Sequence, residues 1–251
     1  MAPAAAACVD AGMTDLTPRP IAERIAALDW PRIAAELDQH GCAATGPLLS
    51  PAECAALAES YGKPIFRSRI VMAHHGFGSG EYQYFAAPLP EPVADLRALL
   101  YPRLAPVANA WAARLGTAPF PPGHAAFLAA CHAAGQTRPT PLLLKYGAGD
   151  YNCLHQDLYG DLAFPLQAAF LLSDPARDFS GGEFVLVEQR PRMQSRPEVV
   201  ALRQGEAVIF AVNHRPVAGR RGDYRVALRH GVSRIRSGAR FTLGVIFHDA
   251  K

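Results

Sequence analysis

The sequence predicts an α+β chain: helices first, then a run of short strands forming a double-sheet jelly roll or barrel. Three observations carry this expectation. Apolar residues recur at helical spacing through the first half. From about Pro141 the texture changes to short apolar runs, and Gly, Pro and Asp punctuate those runs. With 251 residues, 50% of them hydrophobic, the chain is long enough to bury a real core.

Residues 1–20 read as a flexible N-terminus. Their opening, MAPAAAACVDAGMTDL, has neither the basic stretch nor the apolar stretch of a secretory signal. Residues 21–139 read as a mostly helical support region. There IAERIAALDWPRIAAELDQHG sets Ile21, Ile25, Leu28, Ile33 and Leu37 at helical intervals, interrupted at Pro31. Gly41 to Leu49 has room for a short strand. Ser50-Pro51 is a helix start, because the serine hydroxyl caps free N–H groups and proline at the first position forfeits no hydrogen bond. That helix closes at Gly62. A third fits Pro92 to Leu115, with Leu96, Leu99, Leu100, Leu104, Val107 and Trp111 on one broad face. Residues 140–251 read as the core. PLLLKYG, DYNCLHQDL, PLQAAFLLS, GGEFVLVE, EAVIFAV, YRVALRHGVSRI and ARFTLGVIF are seven strands separated by turns such as Ala148-Gly149-Asp150 and Ser237-Gly238.

Composition excludes several classes. No uncharged apolar run approaches the roughly 18–20 residues of a membrane span, and no internal repeat is visible. The five cysteines, Cys8, Cys42, Cys54, Cys131 and Cys153, are scattered without a CxxC. Neither a disulfide framework nor a cysteine zinc site is expected, and a reducing cytoplasm fits. The net charge of +3 hides an asymmetry, since residues 186–251 carry 13 basic against 5 acidic side chains. Such a basic third suits either a polyanionic partner or a solvated arginine-rich surface.

The candidate chemistry lies in the core. Strand alternation puts the side chains of His155 and Asp157 on one face, with Leu154 and Gln156 turned away. His230, in a later strand, supplies a second imidazole. Two histidines and one carboxylate occupy one face of an octahedral ion and leave positions open, the arrangement non-haem Fe(II) oxygenases use. His214 and His248 compete for the second-histidine role, but His214 reads as loop and His248 lies past the last strand. Arg240 and Thr242 share a face of that last strand. A strand-borne arginine with no acid nearby in sequence calls for an anion, and its fork suits a carboxylate.

The set His155-x-Asp157, His230, Arg240-x-Thr242 resembles the 2-oxoglutarate/Fe(II)-dependent oxygenase superfamily, whose core is a double-stranded β-helix of jelly-roll, cupin-like form. Tyr146-x-x-Gly149-x-Tyr151-x-x-x-His155-x-Asp157 resembles the strand pair leading into the metal site of prolyl-hydroxylase-like and AlkB-type members. The resemblance covers roughly residues 140–250. It implies Fe(II) on His155, Asp157 and His230, with 2-oxoglutarate on Arg240, Thr242 and Tyr146. Dioxygen is the further co-substrate.

LLLKYGAGDYNCLHQDLYGDLAFPLQ and RHGVSRIRSGARFTLGVIFHDA are similar to a bacterial subgroup described as acting on damaged nucleic acid by oxidative demethylation. This implies alkylated DNA or RNA as partner, with the target base out of its stack. Candidate substrate contacts are then Arg69, His74, Tyr82, Tyr84 and Tyr159, with arginines 190, 192, 196, 220 and 221 as candidate phosphate contacts. AlkB-type enzymes carry a second arginine on the co-substrate strand, and Phe241 to Phe247 has none. The alternative is therefore a prolyl-hydroxylase-like enzyme acting on a peptide or amino acid. A non-catalytic binding domain on the same fold is a third reading.

Overall fold

A computed structural model describes residues 19–251, so nearly all of the segment expected to be flexible lies outside the described residues. The first part holds α1 (Ile21–Ala26), α2 (Trp30–His40), β1 (Cys42–Pro47), α3 (Pro51–Glu59), β2 (Phe66–Val71), a 3-10 turn (Met72–His75), β3 (Gly78–Ser79), β4 (Glu81–Phe85), α4 (Glu91–Leu115) and α5 (His124–Ala133). The second part is all strand: β5 (Leu142–Tyr146), β6 (Tyr151–His155), β7 (Leu166–Leu171), β8 (Phe179–Gly181), β9 (Phe184–Gln189), β10 (Arg196–Val200) and β11 (Glu206–Ala211). It continues with β12 (His214–Gly219), β13 (Gly222–Val232), β14 (Ile235–Gly238) and β15 (Arg240–Ile246).

Local chemistry sets the helix ends. Asp29 accepts from the Arg32 amide to start α2, with Pro31 in its first turn, and Gly41 closes it at φ 80°. Ser50 and Glu53 form a reciprocal capping box on α3. In α4, Leu96, Leu100, Leu104 and Trp111 of the expected face are buried, Leu99 and Val107 are partly so, and Val93 and Tyr101 are buried as well.

Two antiparallel sheets form the jelly-roll core of a double-stranded β-helix. One has the order β1-β11-β7-β15-β5-β4-β2. The other runs β10-β9-β13-β6-β3, with β12 paired to β13. The apolar cluster between sheet and helices draws on both halves of the chain, from Ile33 and Leu104 to Phe210 and Phe247.

The sheets run across the expected boundary at residue 139. Three strands of the mostly helical region hydrogen-bond directly to core strands, β1 on β11, β4 on β5 and β3 on β6, and β2 adds outside β4. FRSRIV, at the edge of its sheet, and EYQYF, next to it, carry charges or polar residues among their apolar ones, which hides them from a search for apolar runs. His214, expected in a loop, opens β12, an edge strand that tolerates Pro216. Strands β8, β10, β12 and β14 add to the seven expected ones, and α5 is a further helix.

One buried ion pair ties α2 to both strands of this region. Arg215 and Glu188, with side chains 2% and 3% exposed, are hydrogen-bonded, and Arg215 also donates to the Asp38 carbonyl at 2.6 Å. Burial pushes the Glu188 carboxyl up, but hydrogen bonds from Arg190 and Arg215 hold it below its ordinary value. A carboxylate so depressed stabilises the fold above its unfolded pKa, and this contribution is lost as pH falls through the folded value. Glu188→Gln should cost about 3–5 kcal/mol at neutral pH by stranding Arg215. In chemical denaturation, the gap between parent and variant should shrink on acidification below pH 4.5, the ordinary value for the group. A gap unchanged with pH would refute the assignment.

Candidate metal centre and co-substrate pocket

Strand register brings the chemical residues together. On β13 His230 lies opposite His155 of β6, and on β15 Arg240 lies opposite Tyr146 of β5. Both pairs face inward and line one cavity of about 200 Å³. Its walls are largely apolar, with Leu142, Leu144, Ala169, Phe184, Phe210 and Val232 among them.

At one side His155, Asp157 and His230 each offer one ligand atom, all within 4.8 Å of one another. Asp157 lies just past the end of β6, yet its carboxylate turns back to stand 3.4 Å from His155 Nε2 and 3.3 Å from His230 Nε2. Gln156 departs from strict alternation. It too lines the cavity, and its amide donates to the Leu228 and Asn213 carbonyls.

The protonation pattern fits a cation. His155 Nδ1 donates to the Cys153 carbonyl at 2.8 Å, so in the neutral ring Nε2 carries a lone pair aimed at a carboxylate oxygen. Either a proton on Nε2 or a metal cation between the two atoms satisfies both. Burial pulls the His155 pKa down, but hydrogen bonding and charge from Asp157 lift it above the ordinary value. Burial alone would raise the Asp157 carboxyl, yet hydrogen bonds from both histidines hold it well below its usual range. His230, fully buried, is pushed down by desolvation. Two nitrogens and one carboxylate at this spacing suit Fe(II).

Across the cavity sits Arg240, 3% exposed, with Tyr146 and Phe179 rings each 5.8 Å from its guanidinium carbon. Burial lowers its pKa to about 10. It donates to the Thr242 hydroxyl, its Nε has no partner, and no acid lies within ion-pairing distance among the described residues. A cation this deep and unpaired needs an anion. Asn152 donates to the Tyr146 hydroxyl at 3.4 Å, so this wall too is polar.

The other expected residues divide. Tyr82 and Tyr159 line the cavity, and Tyr84 is buried behind them. Arg69 and His74 do not line it. Arg69 is exposed and ion-paired with Glu81, and His74 is exposed on the 3-10 turn. Both side chains stand at the surface rather than at the cavity. Arg190 and Arg196 pair with Glu188, while Arg220 and Arg221 form the β12–β13 turn, roughly 30 Å along the strand from His230. His214 and His248 stay outside the cluster; His248 Nδ1 accepts from the Phe164 amide. Three lining residues had no sequence signal: Asn152, Gln167 and Phe77. Phe77 is 47% exposed at the cavity and stacks on His75 with centroids 5.2 Å apart.

Residues 80–250 match the family described as "Oxygenase, catalysing oxidative methylation of damaged DNA". The chain belongs to this family. Two uncharacterised proteins from strains of Mycobacterium tuberculosis are 54% identical over 167 residues, 66% of this chain and 72% of theirs. Among solved structures, a Pseudomonas putida prolyl-4-hydroxylase superposes with a TM-score of 0.52 at 16% identity, covering 88% of this chain and 99% of that one. A Burkholderia pseudomallei oxidoreductase of the 2OG-Fe(II) oxygenase family gives a TM-score of 0.53 at 16% identity, covering 88% and 92%. At this identity the two structures share the fold with the chain. Family membership makes the chain an oxygenase, and its His-Asp-His cluster is a set of residues that could hold a metal ion. No helix among the described residues is long and apolar enough to cross a membrane.

Proposed function

We propose that this oxygenase removes alkyl groups oxidatively from bases of DNA or RNA. One observation carries the mechanistic part: a single cavity holds a two-histidine, one-carboxylate cluster on one side and a buried, unpaired arginine on the other. The family description supports the substrate class.

In this reading His155, Asp157 and His230 hold Fe(II). Arg240 and Thr242 bind the distal carboxylate of 2-oxoglutarate, and Tyr146 closes over it. Bound together with dioxygen, these groups supply the oxidising power to hydroxylate a C–H bond. The chain positions, shields and orients. The guanidinium fork fixes one end of the co-substrate, and the apolar walls keep water from the reacting carbon. An N-methyl group hydroxylated at carbon becomes a hemiaminal, which releases formaldehyde and leaves the base with an N–H. Tyr82 on the wall and Phe77 at the mouth offer π faces to a base drawn out of its stack.

Protein supplied with Fe(II), 2-oxoglutarate and an oligonucleotide bearing N-methylated bases should form succinate and formaldehyde in equal amounts. A proline-containing peptide should leave succinate at its substrate-free level. Stimulation by the peptide and none by the oligonucleotide would overturn the nucleic-acid reading in favour of a prolyl-hydroxylase-like one.

A further inference from the structure

Two side chains outside the proposed ligand set grip the carboxylate within it. The Tyr159 hydroxyl donates to Asp157 Oδ1 at 2.7 Å, and Gln167 Nε2 donates to Asp157 Oδ2 at 2.8 Å. Each carboxylate oxygen has two lone-pair directions. On each oxygen, one direction is therefore taken by the protein, and the other is left on the side where His155 and His230 converge.

Both donors are themselves held. Gln167 sits on β7 between Phe210 of β11 and Ile246 of β15, with 4% of its surface exposed. Its amide has one useful orientation, since reversal would set Oε1 against the carboxylate; Oε1 accordingly has no partner. Tyr159 packs edge-on to Tyr84 with centroids 6.1 Å apart, and Tyr84 edge-on to Tyr82 at 5.4 Å. The Arg67 guanidinium lies over the Tyr84 ring at 4.5 Å. Arg67, Tyr82 and Tyr84 belong to β2 and β4, so this chain of contacts runs from the N-terminal strands to the carboxylate.

We propose that Tyr159 and Gln167 are positioning residues that lock the Asp157 carboxylate in its ligating orientation, with Tyr159 supported by the β2–β4 hairpin. This rests on the triad reading and changes the expected role of Tyr159 from substrate contact to holder of a ligand. A ligand fixed beforehand gives up less freedom on binding, and loss of such outer partners typically weakens metal binding by about 10- to 100-fold.

The test is a Co(II) titration of metal-free protein, followed by visible absorption, for parent, Tyr159→Phe, Gln167→Met and His155→Ala. Tyr159→Phe keeps the ring packing and removes only the donor. Each of Tyr159→Phe and Gln167→Met should raise the Co(II) dissociation constant about 10- to 100-fold, with melting of the metal-free protein close to parent. His155→Ala should lose the absorption band. Tyr159→Phe and Gln167→Met binding within twofold of parent, while His155→Ala fails to bind, would overturn the clamp and leave the triad standing. Undiminished binding by His155→Ala would overturn both.

Discussion

Replacing His155, Asp157 or His230 with alanine is expected to abolish metal-dependent succinate formation while leaving the protein folded. Each residue supplies one of the three converging ligand atoms. Metal polarisation contributes several kcal/mol to a transition state. At about 1.4 kcal/mol per tenfold, its loss is a fall on the order of a thousandfold. The three variants should differ in stability, however. Asp157 is a buried carboxylate between two imidazoles, so removing it leaves the buried His230 without its partner. Removing His155, the most exposed of the three, disturbs packing least. Measured succinate production in His155→Ala at the parent rate would contradict the assignment.

The second large effect is expected at Arg240. Arg240→Met should raise the KM for 2-oxoglutarate steeply and make the protein without co-substrate more stable. The two signs have one cause. With no anion, the guanidinium is a buried cation without an acid partner, and an apolar side chain of similar reach relieves that cost. With the anion bound, truncating one partner of a buried, hydrogen-bonded charge pair costs about 2–5 kcal/mol, or roughly 30-fold and upward in affinity. Arg240→Lys keeps the charge and loses the fork, so it should fall between parent and Arg240→Met. Thermal melting with and without 2-oxoglutarate separates these effects. Parent and Arg240→Met showing equal shifts on adding 2-oxoglutarate would count against the pocket.

The legible parts of this site were those set by local periodicity. Arg240-x-Thr242 sits within β15, where one alternation puts both side chains on one face, whereas Asp157 lies past the end of β6 and reaches His155 because its carboxylate turns back. His230 followed from its strand-like context and from the poor positions of His214 and His248. Register between distant strands has no such local signature, so the pairing of His230 with His155 appears only in the sheet. The short strand read between Gly41 and Leu49 is β1, but β2, β3 and β4 were hidden for a related reason. Their stability comes from adding onto β5 and β6 of the core rather than from their own composition. The hydrogen bond of Tyr159 to Asp157 lies beyond the end of β6, where alternation no longer governs direction, so the sequence carries no signal for it. Phe77 lies between Gly76 and Gly78, in a stretch that reads as a turn, and only the packing of β3 on β6 brings it to the cavity.

The central claim is that His155, Asp157 and His230 share one ion while Arg240 grips the far end of the co-substrate. Crystals grown without oxygen in Mn(II) and 2-oxoglutarate, measured for anomalous scattering, test it most directly. One strong anomalous peak is expected within bonding distance of all three side chains, with a carboxylate on the Arg240 guanidinium. A peak elsewhere, or an ordered dicarboxylate that leaves Arg240 without a partner, would contradict it.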